Sequence, residues 1–324
     1  WSHVSDALHG VPGVSAEAHR NALKLAEWVG RGKIIIPASA GHFHETTKRF
    51  DHEKRYRLGL TILQLSLGWQ MLDPLQVWRN ELHEIFHCRS GEGGSVRSQG
   101  VFTLASNAIY ASRGMDSFRA PPDWSPESAF QLETLTAVTA AIDVMLDAER
   151  NEPGPDTGWV AANQRFSDWL DSQDWDAQQK RRAVNAFLLA DLRREIAEQA
   201  HAAGVNVGEF QQWILKHAAK EIGQLPAVGL YREMHYGRHL NKGIKWVPND
   251  LTDMVYLSCA AGYADFVVCE RHMCAFLTQG IRRLKGATPV FRRLSDAVAA
   301  IEAALESPRG TAQSGASPDE HEAG

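Results

Sequence analysis

The sequence is poor in cysteine, and none of its four, Cys88, Cys259, Cys269 and Cys274, stands in a C-x-x-C pair. That spacing suggests neither a disulfide framework nor a thiolate zinc site, and a reducing, cytoplasmic setting is the expectation. No apolar run is long enough to cross a bilayer, and no signal-peptide pattern opens the chain, so no membrane partner is expected. Charge of one sign is lacking too. The formal net charge of −5 gives no global pull toward nucleic acid. No internal repeat is visible. What remains is ordinary globular composition, 44% hydrophobic and 23% charged over 324 residues, enough for one large domain or two smaller ones. The basic residues do cluster locally, as at Lys48-Arg49, Lys54-Arg55, Lys180-Arg181-Arg182, Arg282-Arg283 and Arg292-Arg293, where solvated helix faces are the plain reading.

Periodicity predicts alternating elements at both ends of the chain. Residues 15–31 read as an amphipathic helix with Ser15 as a cap and Gly32 as its end. "KIIIP" (33–37) reads as a strand buried on both faces. Ser39 is placed to cap the helix that follows, and another helix is expected over "RLGLTILQLSLGW". Residues 91–100 are rich in glycine and serine and read as a flexible loop. From about 125 to 224 the patterns are mostly helical, with no strong strand candidate between them. Beyond them come a helix over 249–262 capped by Asn249, a strand over 264–269, a helix "RHMCAFLTQGI", a strand "TPVFRRL", and a last helix capped by Ser295. Residues 307–324 have the composition of a disordered tail. The pattern implies an α/β layer fold interrupted by a helical insertion.

Two constellations carry chemistry. His83, Glu84 and His87 spell H-E-x-x-H, the spacing of zinc-protease helices. Its usual extension would need glycine and histidine where Ser90 and Gly93 stand, and Glu127 lies in a proline-bearing helix start, so a third ligand is not evident. The second constellation is acidic. Asp250 and Asp253 fall on one face at a helix start. Glu270 follows a strand, and Glu45 lies just beyond the strand at 33–37. Functional groups gather outside the carboxyl ends of strands in open α/β sheets. Carboxylates crowded there become tolerable around a hard cation such as Mg²⁺ or Mn²⁺, which activates water and polarises phosphoryl oxygens. Taken singly, each acid has a plainer account. Asp250 and Asp253 suit a helix N-terminus, Glu270 can pair with Arg271, and Glu45 with Lys48 or Arg49.

The segment "NDLTDMVYLSCAAGYADFVVCERH", together with "GKIIIPASAGHFHETTKR", resembles PIN-like nuclease domains over roughly residues 1–75 and 240–300. Asp250 matches an additional acid seen in bacterial PIN-like proteins. The resemblance implies a three-layer α/β fold with a central parallel sheet, divided as 1–90 and 236–306 around a helical insertion at 91–235. It implies metal-dependent phosphodiester hydrolysis, RNA being the expected substrate. Glu45, Asp253 and Glu270 would be catalytic and, with Asp250, would bind Mg²⁺ or Mn²⁺. The first acid of such domains is expected just upstream of Trp1, and Asp6 sits too deep in the following helix to replace it. Arg238, Lys242 and Lys245 are candidate phosphate contacts or else a solvated loop; Tyr236 and Trp246 are available for base stacking, with Trp246 equally suited to a core. The alternative is a non-catalytic binding protein whose helical insertion docks a protein partner.

Overall fold

The computed structural model describes residues 1–49, 51–90, 100–105, 108–109, 123–146 and 157–307. The glycine-rich loop, apart from Gly100, and the tail beyond residue 307 lie outside the described residues. In chain order the helices are α1 (Ser2–Leu8), α2 (Ala16–Gly30), α3 (Ala40–Thr47), α4 (His52–Ser66), α5 (Pro74–Ser90), α6 (Pro126–Leu146), α7 (Trp159–Ser172) and α8 (Ala177–Asp191). There follow α9 (Arg193–Ala202), α10 (Val207–Lys216), α11 (Ala218–Ile222), α12 (Pro226–His239), α13 (Asn249–Tyr263), α14 (Arg271–Arg283) and α15 (Leu294–Glu306). The strands among the described residues are two residues each: β1 (Gln70–Met71), β2 (Phe102–Thr103), β3 (Val267–Val268) and β4 (Val290–Phe291).

The architecture is therefore mostly helical, and the expected three-layer α/β fold around a central parallel sheet is corrected. β1 pairs antiparallel with β2 and β3 pairs parallel with β4, in two separate two-stranded ladders. "KIIIP" forms no strand; only Ala38, just past it, makes a parallel bridge to Gln70. The reason lies in its surroundings. Ile34 and Ile36 pack against a helical core of Val4, Leu25, Trp28 and Val298, whereas Ile35 is 44% exposed. Helices cover one side of this extended segment, and no sheet among the described residues buries the other.

Local signals place the helices. Ser15 accepts from the Ala18 amide and Ser39 from the His42 amide, both as N-caps. Asp176 with Gln179 and Asn206 with Glu209 form capping boxes for α8 and α10. Asn249 and Ser295 do not cap; each is already inside its helix, behind Pro248 and Arg293.

The centre of the molecule is α12, whose Val228, Leu230, Tyr231, Met234 and His235 are all buried. One core joins Leu82 and Phe86 of α5, Leu188 of α8, Trp213 of α10, Met254 of α13 and Leu277 of α14. α12 runs unbroken through residue 235, and the middle helices share this core with the C-terminal ones. Among the described residues no helix is long and apolar enough to cross a membrane.

Candidate functional site

Two contacts set α3 against α13. A Cβ built on Gly41 would lie 3.0 Å from the Tyr256 ring, so the helices touch there through glycine. Lys48 Nζ, just past α3, donates to Asn249 Oδ1 at 3.2 Å. The two contacts are equally spaced along both segments and run in opposite senses, which makes the segments antiparallel. Between them lie Glu45, one turn before Lys48, and Asp253, one turn after Asn249. Glu270 enters from the end of β3, where Cys269 N still donates to Phe291 O at 3.0 Å, and stands at the N-terminal flank of α14.

The four acids are electrostatically linked, but they are not equivalent. Asp253 is half-buried, and burial pushes its carboxyl up to about 6. The negative charge of Glu270 is the next cause, Glu45 and Asp250 add to it, and His272 opposes it. Glu45 is held by Lys48 Nζ at 2.7 Å. Glu270 is 82% exposed, with His272 Nδ1 3.6 Å away. Cys269 lies beside these acids as a thiol: burial pushes it up to about 12, so it adds no negative charge at neutral pH.

Asp250 has a different occupation. It is 1% exposed, accepts from Arg238 Nη2 at 2.5 Å and from the Val247 amide at 2.6 Å, and leaves Oδ1 buried with no hydrogen-bond partner among the described residues. Arg238 is equally enclosed. It also donates to the Lys245 carbonyl at 2.9 Å, and its guanidinium lies 4.6 Å from the centre of the Trp246 ring. Arg238 is thus the counter-ion of Asp250 inside the protein, out of reach of a phosphate backbone. Lys242 and Lys245 remain exposed. Tyr236 and Trp246 are buried, the latter donating its indole N–H to Ser167 Oγ at 2.9 Å, so neither offers a stacking face.

The H-E-x-x-H residues lie on α5 with the His83 and His87 rings stacked, 6.0 Å apart. The consequential residue of that stretch is its neighbour Glu81, which the motif passes over. Glu81 is 3% exposed and accepts from the Ala227 and Val228 amides, at 2.7 and 2.9 Å, and from Tyr263 Oη at 2.7 Å. It caps α12 from another helix, as a carboxylate suits a helix N-terminus. Burial raises its pKa while these bonds lower it. The signal was present in the pattern, since Glu81 interrupts the apolar face formed by Val77, Trp78, Leu82 and Phe86. A second polar feature, His235 and His239 of "HYGRH", is a buried pair 3.2 Å apart, with Ser167 Oγ 2.8 Å from His239. Burial pushes His239 down to about 3 and lowers His235 as well, so both rings stay neutral.

Comparison with protein-family models, with curated proteins and with solved structures gives no match to this chain.

The four carboxylates at the α3–α13–β3 edge supply oxygen donors and negative charge, which suits a hard divalent cation, with the His272 imidazole and the Cys269 thiol beside them. The geometry of the edge is open. Among the described residues no three histidine, cysteine, aspartate or glutamate groups stand close enough to hold one ion. Binding a cation there requires Glu45 to leave Lys48 and Glu270 to swing inward, and both side chains are exposed enough to do so.

Proposed function

We propose that the acidic edge formed by Glu45, Asp253 and Glu270 is the site of a divalent-cation-dependent phosphodiesterase, acting on RNA. The single observation that carries this reading is the state of Asp253. A half-buried carboxyl pushed up to about 6 by burial and by neighbouring carboxylates is a group whose charge calls for compensation. Asp253, Glu270 and Glu45 are the residues that would hold Mg²⁺ or Mn²⁺. Asp250 supports them from behind as one half of an internal ion pair, its Oδ1 buried and unpartnered among the described residues. A bound cation would supply an activated water and neutralise a phosphoryl oxygen. The chain's own contribution is to hold the acids beside one another and to keep Lys48 within reach of Glu45. The resemblance of the motifs at 32–49 and 249–272 to PIN-like nucleases supports the same chemistry at the level of sequence.

A second reading is favoured by a specific observation: Lys48 and Arg238 already neutralise Glu45 and Asp250. A site so compensated would belong to a non-catalytic protein that docks a partner through its helical middle. One experiment separates the two. The full-length protein is incubated with labelled single-stranded RNA in Mn²⁺, in Mg²⁺ and in chelator. Cleavage in metal, abolished by chelator and by Asp253→Asn, supports the nuclease. Intact RNA in both metals at micromolar protein removes it.

A further inference from the structure

A phosphodiester must approach this acidic edge against its negative charge, and two of the cations there, Lys48 and Arg238, are taken. Lys48 pairs with Glu45, and Arg238 is buried against Asp250. The sequence-expected contacts at Lys242 and Lys245 lie on the loop between α12 and α13. The β3–β4 ladder brings another set to the site. Val267 pairs with Val290 and Val268 with Phe291 in parallel register. The chain leaving β3 therefore carries Glu270 and Arg271 at the same carboxyl edge where the chain leaving β4 carries Arg292 and Arg293. Arg271, Arg292 and Arg293 are all exposed, and none forms an ion pair among the described residues. Lys24, Lys54, Arg57 and Arg283 are by contrast each bound to a carboxylate.

We infer that Arg292 and Arg293, with Arg271 beside them, form the phosphate track that leads RNA across Glu270 to Asp253. This inference rests on the nuclease reading and names its substrate-binding surface. Guanidinium groups suit the task because each offers a planar fork to two phosphate oxygens and stays charged at every working pH. The parallel ladder fixes the spacing: Cys269 and Glu270 after β3 run alongside Arg292 and Arg293 after β4, so the two arginines leave the ladder at the same end as Glu270.

The test measures binding of a fluorescent single-stranded oligoribonucleotide by anisotropy, in Mg²⁺, on the Asp253→Asn background so that the RNA stays intact. Salt is varied from about 0.05 to 0.3 M, a range over which phosphate neutralisation dominates the change in affinity. With Arg292→Ala/Arg293→Ala added, affinity at about 0.1 M salt is expected to fall about tenfold. The slope of log K against log salt is expected to shrink by roughly 1.4, about 0.7 for each single-strand phosphate that an arginine no longer neutralises. Arg292→Lys/Arg293→Lys, which keeps the charge, is expected to retain the slope, and that separates removal of the phosphate track from failure to fold. Unchanged binding in the alanine pair, or the same weakening produced by Lys242→Ala/Lys245→Ala instead, overturns the track while leaving the nuclease reading in place. A wild-type protein that neither binds nor cleaves RNA in Mn²⁺ overturns both.

Discussion

Arg238→Met tests whether the charge at position 238 serves the interior or the surface. The guanidinium is 4% exposed and its carboxylate partner 1% exposed. Removing it strands Asp250 with a negative charge, one amide donor and an already unpartnered Oδ1. It also removes the bond to the Lys245 carbonyl and the packing over the Trp246 ring. Breaking a buried pair from one side costs about 3–5 kcal/mol. Methionine returns part of the aliphatic packing, so the expected loss is about 3 kcal/mol. Urea unfolding followed by circular dichroism measures it as a fall in midpoint at unchanged slope. The double variant Arg238→Met/Asp250→Asn is expected to recover on the order of 2 kcal/mol of the summed single losses, because neither charge is then left alone. A single-variant loss below about 1 kcal/mol, or strictly additive losses, refutes the buried pair and restores Arg238 to the surface role that its place in "GRHLNKGIK" suggests.

Three other outcomes follow from the same geometry. The carboxyl of Asp253 is raised from 3.8 to about 6, so the folded state holds a proton that the unfolded chain has released; the stability this group contributes without metal is therefore full below about pH 4 and is lost as pH rises toward about 6. Asp253→Asn should melt above the metal-free wild type at about pH 7.5, with the gap closing toward about pH 4.5; equal gaps at both values would count against crowding. Glu81→Ala should cost roughly 2–4 kcal/mol in urea unfolding, since it uncaps α12 and strands Tyr263 Oη, whereas Tyr263→Phe should cost only about 1 kcal/mol. The H-E-x-x-H helix should carry no stoichiometric zinc; elemental analysis finding one zinc per chain that disappears in His83→Ala would reverse that reading.

Helices with local signals were legible in the sequence. Ser15 and Ser39 cap where their spacing says they should, and the acid-bearing helix over 249–262 is present, because capping and amphipathic period act within a few residues of the chain. What failed depended on partners far away. "KIIIP" has strand composition, but a strand needs a neighbour to pair with, and Ile34 and Ile36 find helices instead. Two valines and a Val-Phe pair are all that 264–269 and 288–294 contribute to a ladder. At the site, the grouping of Glu45, Asp250 and Glu270 around Asp253 could be proposed from strand ends and helix starts. The counter-ion of Glu45 was legible too, since Lys48 stands one turn further along the same segment; that of Asp250 was not, since Arg238 meets it across a loop. Glu81 was visible as a flaw in an apolar stripe, and its purpose appears only once α12 arrives over it.

The Gly41–Tyr256 contact makes the separation of the acids adjustable without altering any of them. A hydrogen atom at position 41 lets an aromatic ring sit against α3; a methyl group there would meet that ring at 3.0 Å. Within a helix, alanine is ordinarily favoured over glycine by up to about 1 kcal/mol. Gly41→Ala thus sets a helix-strengthening change against a wedge that presses α3 and α13 apart, with Glu45 on one side of the gap and Asp253 on the other. The residue works as a shim: its thickness sets how strongly one carboxylate feels the other, and the acidity of Asp253 reads out that thickness.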